Sequence, residues 1–145
     1  MEWLYNNNTI NNINDLPIDT FGFVYIITNT ISGKQYVGKK QILSNTRVPL
    51  TNNDINTWKE TINKGKCPKK KLVSKESKWK DYYGSSTELK QDIKIIGKDK
   101  FKREIIHICF SKRDLTYYET KYLFTYSVLE SNMFYNKNIL CKFYK

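Results

Sequence analysis

GFVYIITNTISGKQYVGKK, residues 22–40, reads as two extended runs around a turn. Phe23 to Thr28 is β-branched and aromatic, Asn29 to Gly33 is turn material, and Gln35 to Lys39 resumes an extended pattern. The stretch therefore predicts a β-hairpin over about residues 21 to 40. A fold symmetric about Thr30 and Ile31 would set Tyr25 opposite Tyr36, with Cβ atoms roughly 5 Å apart. Both phenols would then leave the same face of the pair.

Outward from the hairpin the chain divides into further zones. Residues 1–20 are Asn-rich and read as a loosely ordered N-terminal arm, although Trp3, Leu4 and Tyr5 could dock on the domain. Residues 41–84 form a long basic connection. It holds one short helix candidate, with Asp54 as cap, Ile55, Trp58 and Ile62 on one face, and Gly65 as the stop. Ser85 and Ser86 can cap a second helix bearing Leu89, Ile93 and Ile96, ended by Gly97. A third strand follows over Phe101 to Phe110, then a last helix from Lys112 to Glu130. The tail from Asn132 is able to return to the sheet, with residues 139–145 as a C-terminal extension.

At 145 residues the chain is long enough for one domain and one modest core. Twenty-five Lys and Arg against 14 acids give a formal net charge of +11, for which a polyanionic partner is the simplest explanation. Codon bias toward Lys, Asn, Ile and Tyr is the bland alternative, but it does not explain where the charge sits. Between Lys64 and Lys80 stand eight lysines and one acid, Glu76. Each lysine placed on a duplex phosphate releases counterions, with a salt slope of about 0.9 per contact. Lys66, Lys69, Lys70, Lys71, Lys75 and Lys78 are candidate nucleic-acid contacts, with Lys39 and Lys40 beside the hairpin. Trp58, Trp79, Tyr82 and Tyr83 flank the run and either anchor it to the core, the favoured reading, or stack on bases.

No apolar run approaches the ~20 residues of a membrane-spanning helix, and the first residues lack the pattern of a signal peptide. A cytoplasmic location and no membrane partner are expected. Cys67, Cys109 and Cys141 are widely spaced and His107 is the single histidine, so neither a disulfide framework nor a zinc site is expected. His107 falls in a strand-like segment and reads as structural.

The last helix carries the sharpest signal. At about 100° per residue, with Leu115 as origin, Tyr122, Tyr126, Leu129 and Tyr118 share one arc, and Glu119 falls inside it at about +40°. A carboxylate there is costly unless paired, hydrogen-bonded or bound to a cation. No basic residue of the same helix shares the arc. The compensating group must come from elsewhere: a divalent metal, a buried tyrosine, or a lysine across the core. Glu130 is a second acid near the arc, at the helix end.

The tripeptides Phe23-Val24-Tyr25 and Tyr36-Val37-Gly38, the leucine and glutamate at 115 and 119, and Tyr135-Asn136 together resemble the GIY-YIG nuclease superfamily. The stretch from Tyr83-Gly84-Ser85-Ser86 through Phe101 is similar to phage-borne, homing-endonuclease-like members. The resemblance implies an α+β fold with a small three-stranded antiparallel sheet flanked by helices, covering residues 21–138 with a basic insertion at about 41–84. It further implies Tyr25, Tyr36, Arg47, Glu119 and Asn136 as catalytic residues, with Glu119 binding one Mg²⁺ or Mn²⁺. Two departures stand out. The first tripeptide lacks the family's glycine, Gly22 lying one residue early, and Arg47 precedes Val48-Pro49, which disfavours the helix on which the family places its arginine. Lys39 and Lys40 are the substitutes for that cation.

The activity implied is metal-dependent DNA endonuclease, possible as a homodimer where both strands are cut. In this scheme Tyr25 is general base or water-orienting group, Tyr36 supports it, and nearby cations must lower the phenol's pKa. A catalytically inactive nucleic-acid-binding module and an RNA nuclease are the alternatives, because fold does not choose the substrate.

Overall fold

A computed structural model describes residues 1–61 and 65–145. Ile62, expected on the face of the first helix, and Lys64, at the start of the basic run, lie outside the described residues. The chain forms two units, residues 1–42 with 78–145, and Leu43–Ser77.

The larger unit is built on a five-stranded sheet of β1 (Trp3–Tyr5), β2 (Asn8–Ile10), β3 (Gly22–Asn29), β4 (Gln35–Gln41) and β7 (Phe101–Cys109). Their order across the sheet is β2-β1-β7-β3-β4. All neighbours are antiparallel except β1 and β7, which run parallel. The α+β class and the three expected antiparallel strands are present, and two short strands extend the sheet. These come from the segment read as a loose arm, which is a correction. Trp3 is 1 % exposed, packs edge-on against Phe23 and Tyr25, and donates from its indole Nε1 to the Trp79 carbonyl at 2.9 Å. Trp3 is thus one of the residues that could dock from the arm, and it does so at a long-range site.

The hairpin forms, with a different register. Tyr25 pairs with Gly38 and Tyr36 with Ile27, a shift of two residues from the symmetric expectation. Asn29 causes it: its side-chain carbonyl accepts from the Ile31 and Ser32 amides, and its own amide donates to the Lys34 carbonyl, so the loop centres beyond Thr30. An even shift conserves facing. The two tyrosines are diagonal neighbours on one face, with ring centroids 6.2 Å apart.

Strand β3 is a continuous apolar and aromatic run from Phe23 to Ile27 because both of its faces are covered. Phe23, Tyr25 and Ile27 join one core with Trp3, Trp79, Leu89, Ile93 and Tyr135; Val24 and Ile26 join the other with Leu115, Leu123, Val128 and Ile139. Helix α2 (Thr87–Ile96) covers the first face, capped by Ser86 as expected. Helix α3 (Lys112–Thr125) covers the second. It ends five residues earlier than the pattern suggested. Ser127 takes a left-handed φ of 49°, and the Ser127 and Val128 amides donate back to the Phe124 and Leu123 carbonyls. This Schellman closure buries Val128 and leaves Leu129 and Glu130 outside the helix.

The C-terminal tail does return to the sheet: the Gln35 amide donates to Met133, the Tyr135 amide donates to Gln35, and Phe134 bridges Gln35 in parallel. A last short hairpin joins β8 (Asn138–Ile139) and β9 (Phe143–Tyr144).

The smaller unit holds the short helix anticipated, set within a strand pairing that was not. Strands β5 (Leu43–Pro49) and β6 (Lys70–Glu76) form an antiparallel ribbon of seven pairs, and α1 (Asn52–Glu60) lies in the connection between them. The α1 cap is Thr51, with Asp54 at the third helical position completing a capping box, and the helix stops at Thr61 rather than at Gly65. Among the described residues no helix is long and apolar enough to cross a membrane.

Candidate active site

The site straddles β4. Alternation along this strand sends Tyr36, Gly38 and Lys40 to the α2 face and Val37 and Lys39 to the α3 face. A cleft of about 330 Å³ brings the two sides together, lined by Tyr36, Lys39, Ser85, Glu119 and Asn136, among others.

On the α2 face Tyr25 is 1 % exposed, and its ring meets that of Tyr82 edge-on, with centroids 6.2 Å apart. Tyr36 reaches the cleft, its hydroxyl 2.9 Å from Ser85 Oγ. The tight packing of the two rings requires glycine at two places. A Cβ on Gly38 would lie 2.5 Å from the Tyr25 hydroxyl and 2.9 Å from the Tyr36 ring; on Gly84, whose φ is +80°, it would lie 2.7 Å from the same ring. A β-bulge in the β3–β7 pairing falls between Val24 and Tyr25, where it re-aims the strand beside the site.

On the α3 face Glu119 lies one turn from each of the buried leucines, Leu115 and Leu123, so it sits on the midline of the packed stripe. Its side chain remains 19 % exposed because that midline opens into the cleft. Lys39 Nζ is 2.8 Å from Glu119 Oε2 and 3.3 Å from Thr116 Oγ1. The partner for the misplaced acid is therefore a lysine from the neighbouring strand, one of the alternatives the sequence left open. Lys39 is itself 35 % exposed, so the pair faces the cleft rather than the core.

Asn136 is buried and makes two hydrogen bonds to the Val37 backbone: its carboxamide oxygen accepts from the Val37 amide at 3.0 Å and its NH₂ donates to the Val37 carbonyl at 2.8 Å. It mimics a further peptide unit along β4 and fixes the residue between Tyr36 and Gly38. The structure thus gathers Tyr25, Tyr36, Lys39, Glu119 and Asn136 around one strand. Lys40 diverges from Lys39 and sits 4.2 Å over the Tyr82 ring, where burial lowers its pKa. Arg47 lies on exposed β5 in the smaller unit, on a strand and not a helix. Lys66, Lys69, Lys70, Lys71 and Lys75 belong to that unit too, with Lys71 held by Asp54 at 2.8 Å; Lys78 is exposed on the larger one.

Three contributors escaped the sequence reading. Tyr82 and Ser85 brace the tyrosine pair, and Arg103 braces the loop that carries Tyr82. The Arg103 guanidinium is 4 % exposed, donates to the carbonyls of Lys80 at 2.8 Å, Tyr82 at 3.0 Å and Met1, and stacks on Trp3 and Tyr83. A lone arginine at an inward strand position of β7, among Phe101 and Ile105, was the available signal. Trp79 anchors in the core as favoured, and His107 is structural, stacked on Tyr118 at 3.7 Å.

Burial raises the Tyr25 phenol well above 10, and neighbouring Tyr36, Tyr82 and Glu119 push it the same way. Burial likewise raises Tyr82 and Tyr135, and pushes the Cys109 thiol up to about 11. Groups with folded pKa values above their unfolded ones give their full stabilisation below the unfolded pKa and lose it as pH rises through the folded one. Urea midpoints should therefore hold to about pH 9 and fall from about pH 10 upward, with Tyr25→Phe flattening the fall. A midpoint that stayed level to about pH 11 would contradict the burial of these acids.

The sheet thus carries two tyrosines on neighbouring antiparallel strands, and an acid on the helix that packs against its other face. A family model described as "Putative endonuclease segE, GIY-YIG domain" matches residues 3–139, and the chain belongs to that family. No curated protein and no solved structure matches it.

Proposed function

We propose that the protein is a DNA endonuclease that hydrolyses phosphodiesters with one Mg²⁺ or Mn²⁺ held by Glu119. The carrying observation is the placement of Glu119, which the fold draws into its packed stripe and turns toward the cleft that Tyr36 and Lys39 share. Among the described residues no cluster of three acid, His or Cys ligands occurs. One carboxylate among hydroxyls and amides offers hard oxygen donors alone, which fits an ion that keeps most of its waters. Such an ion would supply Lewis-acid stabilisation of the phosphate and leaving oxygen.

The chain's own residues divide the remaining work. Tyr25, kept neutral by burial, serves as a fixed donor and ring support, which departs from a base role for that phenol. Tyr36, hydrogen-bonded to Ser85 in the cleft, is the phenol placed to orient the attacking water. Lys39 neutralises charge growing on the phosphate oxygens and occupies the role the family gives its arginine. Asn136 holds the strand between them at Val37. Arg47, on the exposed ribbon, is assigned to DNA contact. The Lys39–Glu119 pair also favours a second reading, a binding module without catalysis, since it neutralises the acid with no metal.

Supercoiled plasmid separates the two. The nuclease reading expects Mg²⁺-dependent conversion to nicked circles, stopped by a chelator and weakened by salt. Binding without nicking in Mg²⁺ or Mn²⁺ would leave the module.

A further inference from the structure

The ribbon of β5 and β6 has an unusual surface for a folded protein. One face presents Leu43, Asn45, Arg47 and Pro49 beside Lys70, Leu72, Ser74 and Glu76, and all eight are exposed. The opposite face carries the half-buried Val48 and Lys71, the latter tied to Asp54 of α1. A two-stranded ribbon covered on so little of its surface gains little from its own packing, and Leu72 is 62 % exposed.

We propose that this bare face enters the major groove of duplex DNA and reads base edges. The proposal rests on the nuclease reading only for its choice of nucleic acid. Charge complementarity selects the occupant: residues 43–77 hold eight Lys and Arg against three acids. Size agrees as well. Seven pairs span about 20 Å along the strands, and a major groove about 12 Å wide admits a two-stranded ribbon. The middle of the face offers the chemistry of direct readout. Arg47 stands opposite Leu72, pairing a bidentate donor for guanine with an apolar contact for a thymine methyl. Next to them the Ser74 hydroxyl donates to the Asn45 side-chain Oδ1 at 2.7 Å, which orients the Asn45 NH₂ as a donor. Lys70, at the end of the face, suits a phosphate.

The test uses full-length protein carrying Glu119→Gln, so that binding is read apart from cutting. Fluorescence anisotropy would compare a duplex of mixed sequence with the same duplex built from 7-deazapurines, which alters the major groove alone. The ribbon intact, affinity should fall about tenfold on the deaza duplex. With Asn45→Ala and Arg47→Ala combined, the two duplexes should bind alike. Lys70→Ala should weaken both duplexes equally and lower the salt slope by about 0.9. Circular dichroism checks that these exposed substitutions keep the fold. Equal binding of both duplexes by the ribbon-intact protein would overturn the proposal, as would a dimer mass abolished by the double substitution with duplex affinity unchanged, which would make the face an interface between copies. Absence of nicking by the wild type, by contrast, would sink the nuclease reading and leave the groove comparison standing.

Discussion

Glu119→Gln is expected to reduce plasmid nicking by about a thousandfold or more while the fold persists. The substitution keeps the shape that fits between Leu115 and Leu123 and removes only the charge. An amide oxygen is a weak ligand for a hard divalent ion, and it leaves Lys39 without its anionic partner 2.8 Å away. That lost pair costs little stability, because Lys39 is more than a third exposed and solvent screens the interaction. The thermal midpoint should consequently move by no more than about 4 °C. A merely structural acid would give the reverse pattern, a lowered midpoint with nicking retained, so single-turnover nicking and calorimetry on one preparation decide between the roles.

Trp3→Ala is expected to cost about 3–5 kcal/mol of stability, a large share of the roughly 5–15 kcal/mol that holds a domain together. Trp3 fills the space between Phe23 and Tyr25, its ring lies under the Arg103 guanidinium, and its indole N–H satisfies the Trp79 carbonyl. Truncation leaves a cavity against Tyr25 and removes one of the hydrogen bonds to the Trp79 carbonyl, which the Tyr82 amide also donates to at 3.2 Å. Activity should decline with it, since Tyr25 packs directly on the lost ring. Urea unfolding measures the first effect and nicking at low temperature the second. A loss below about 1 kcal/mol would mean that the N-terminal strands are accessory to the sheet.

Much of the site was legible because it follows local rules. The alternation of β3 and β4 placed both tyrosines on one face, and even the wrong register preserved this, since the true shift is by two residues. Helical periodicity singled out Glu119, and the structure sharpens it: Leu115 and Leu123 flank the acid, so the stripe centres on Glu119 rather than on the tyrosines to one side. The Ser86 cap and the Gly97 stop of α2 are likewise contained in neighbouring residues.

What failed did so for long-range reasons. Trp3 takes its place from Trp79 and Arg103, which no window of sequence around residue 3 contains. Strands β5 and β6 define each other across an intervening helix, and neither is apolar enough to announce itself. Lys39 and Lys40 are indistinguishable as letters, yet one meets Glu119 and the other covers Tyr82.

The sequence by itself determined the hairpin, its paired phenols and an acid on a helix face that should be greasy, because period and propensity are properties of neighbouring residues. Only the tertiary structure decided which cation answers that acid, how deeply each phenol is buried and what the first ten residues do. Those outcomes depend on which distant segments desolvate one another, and distance along the chain carries no information about that.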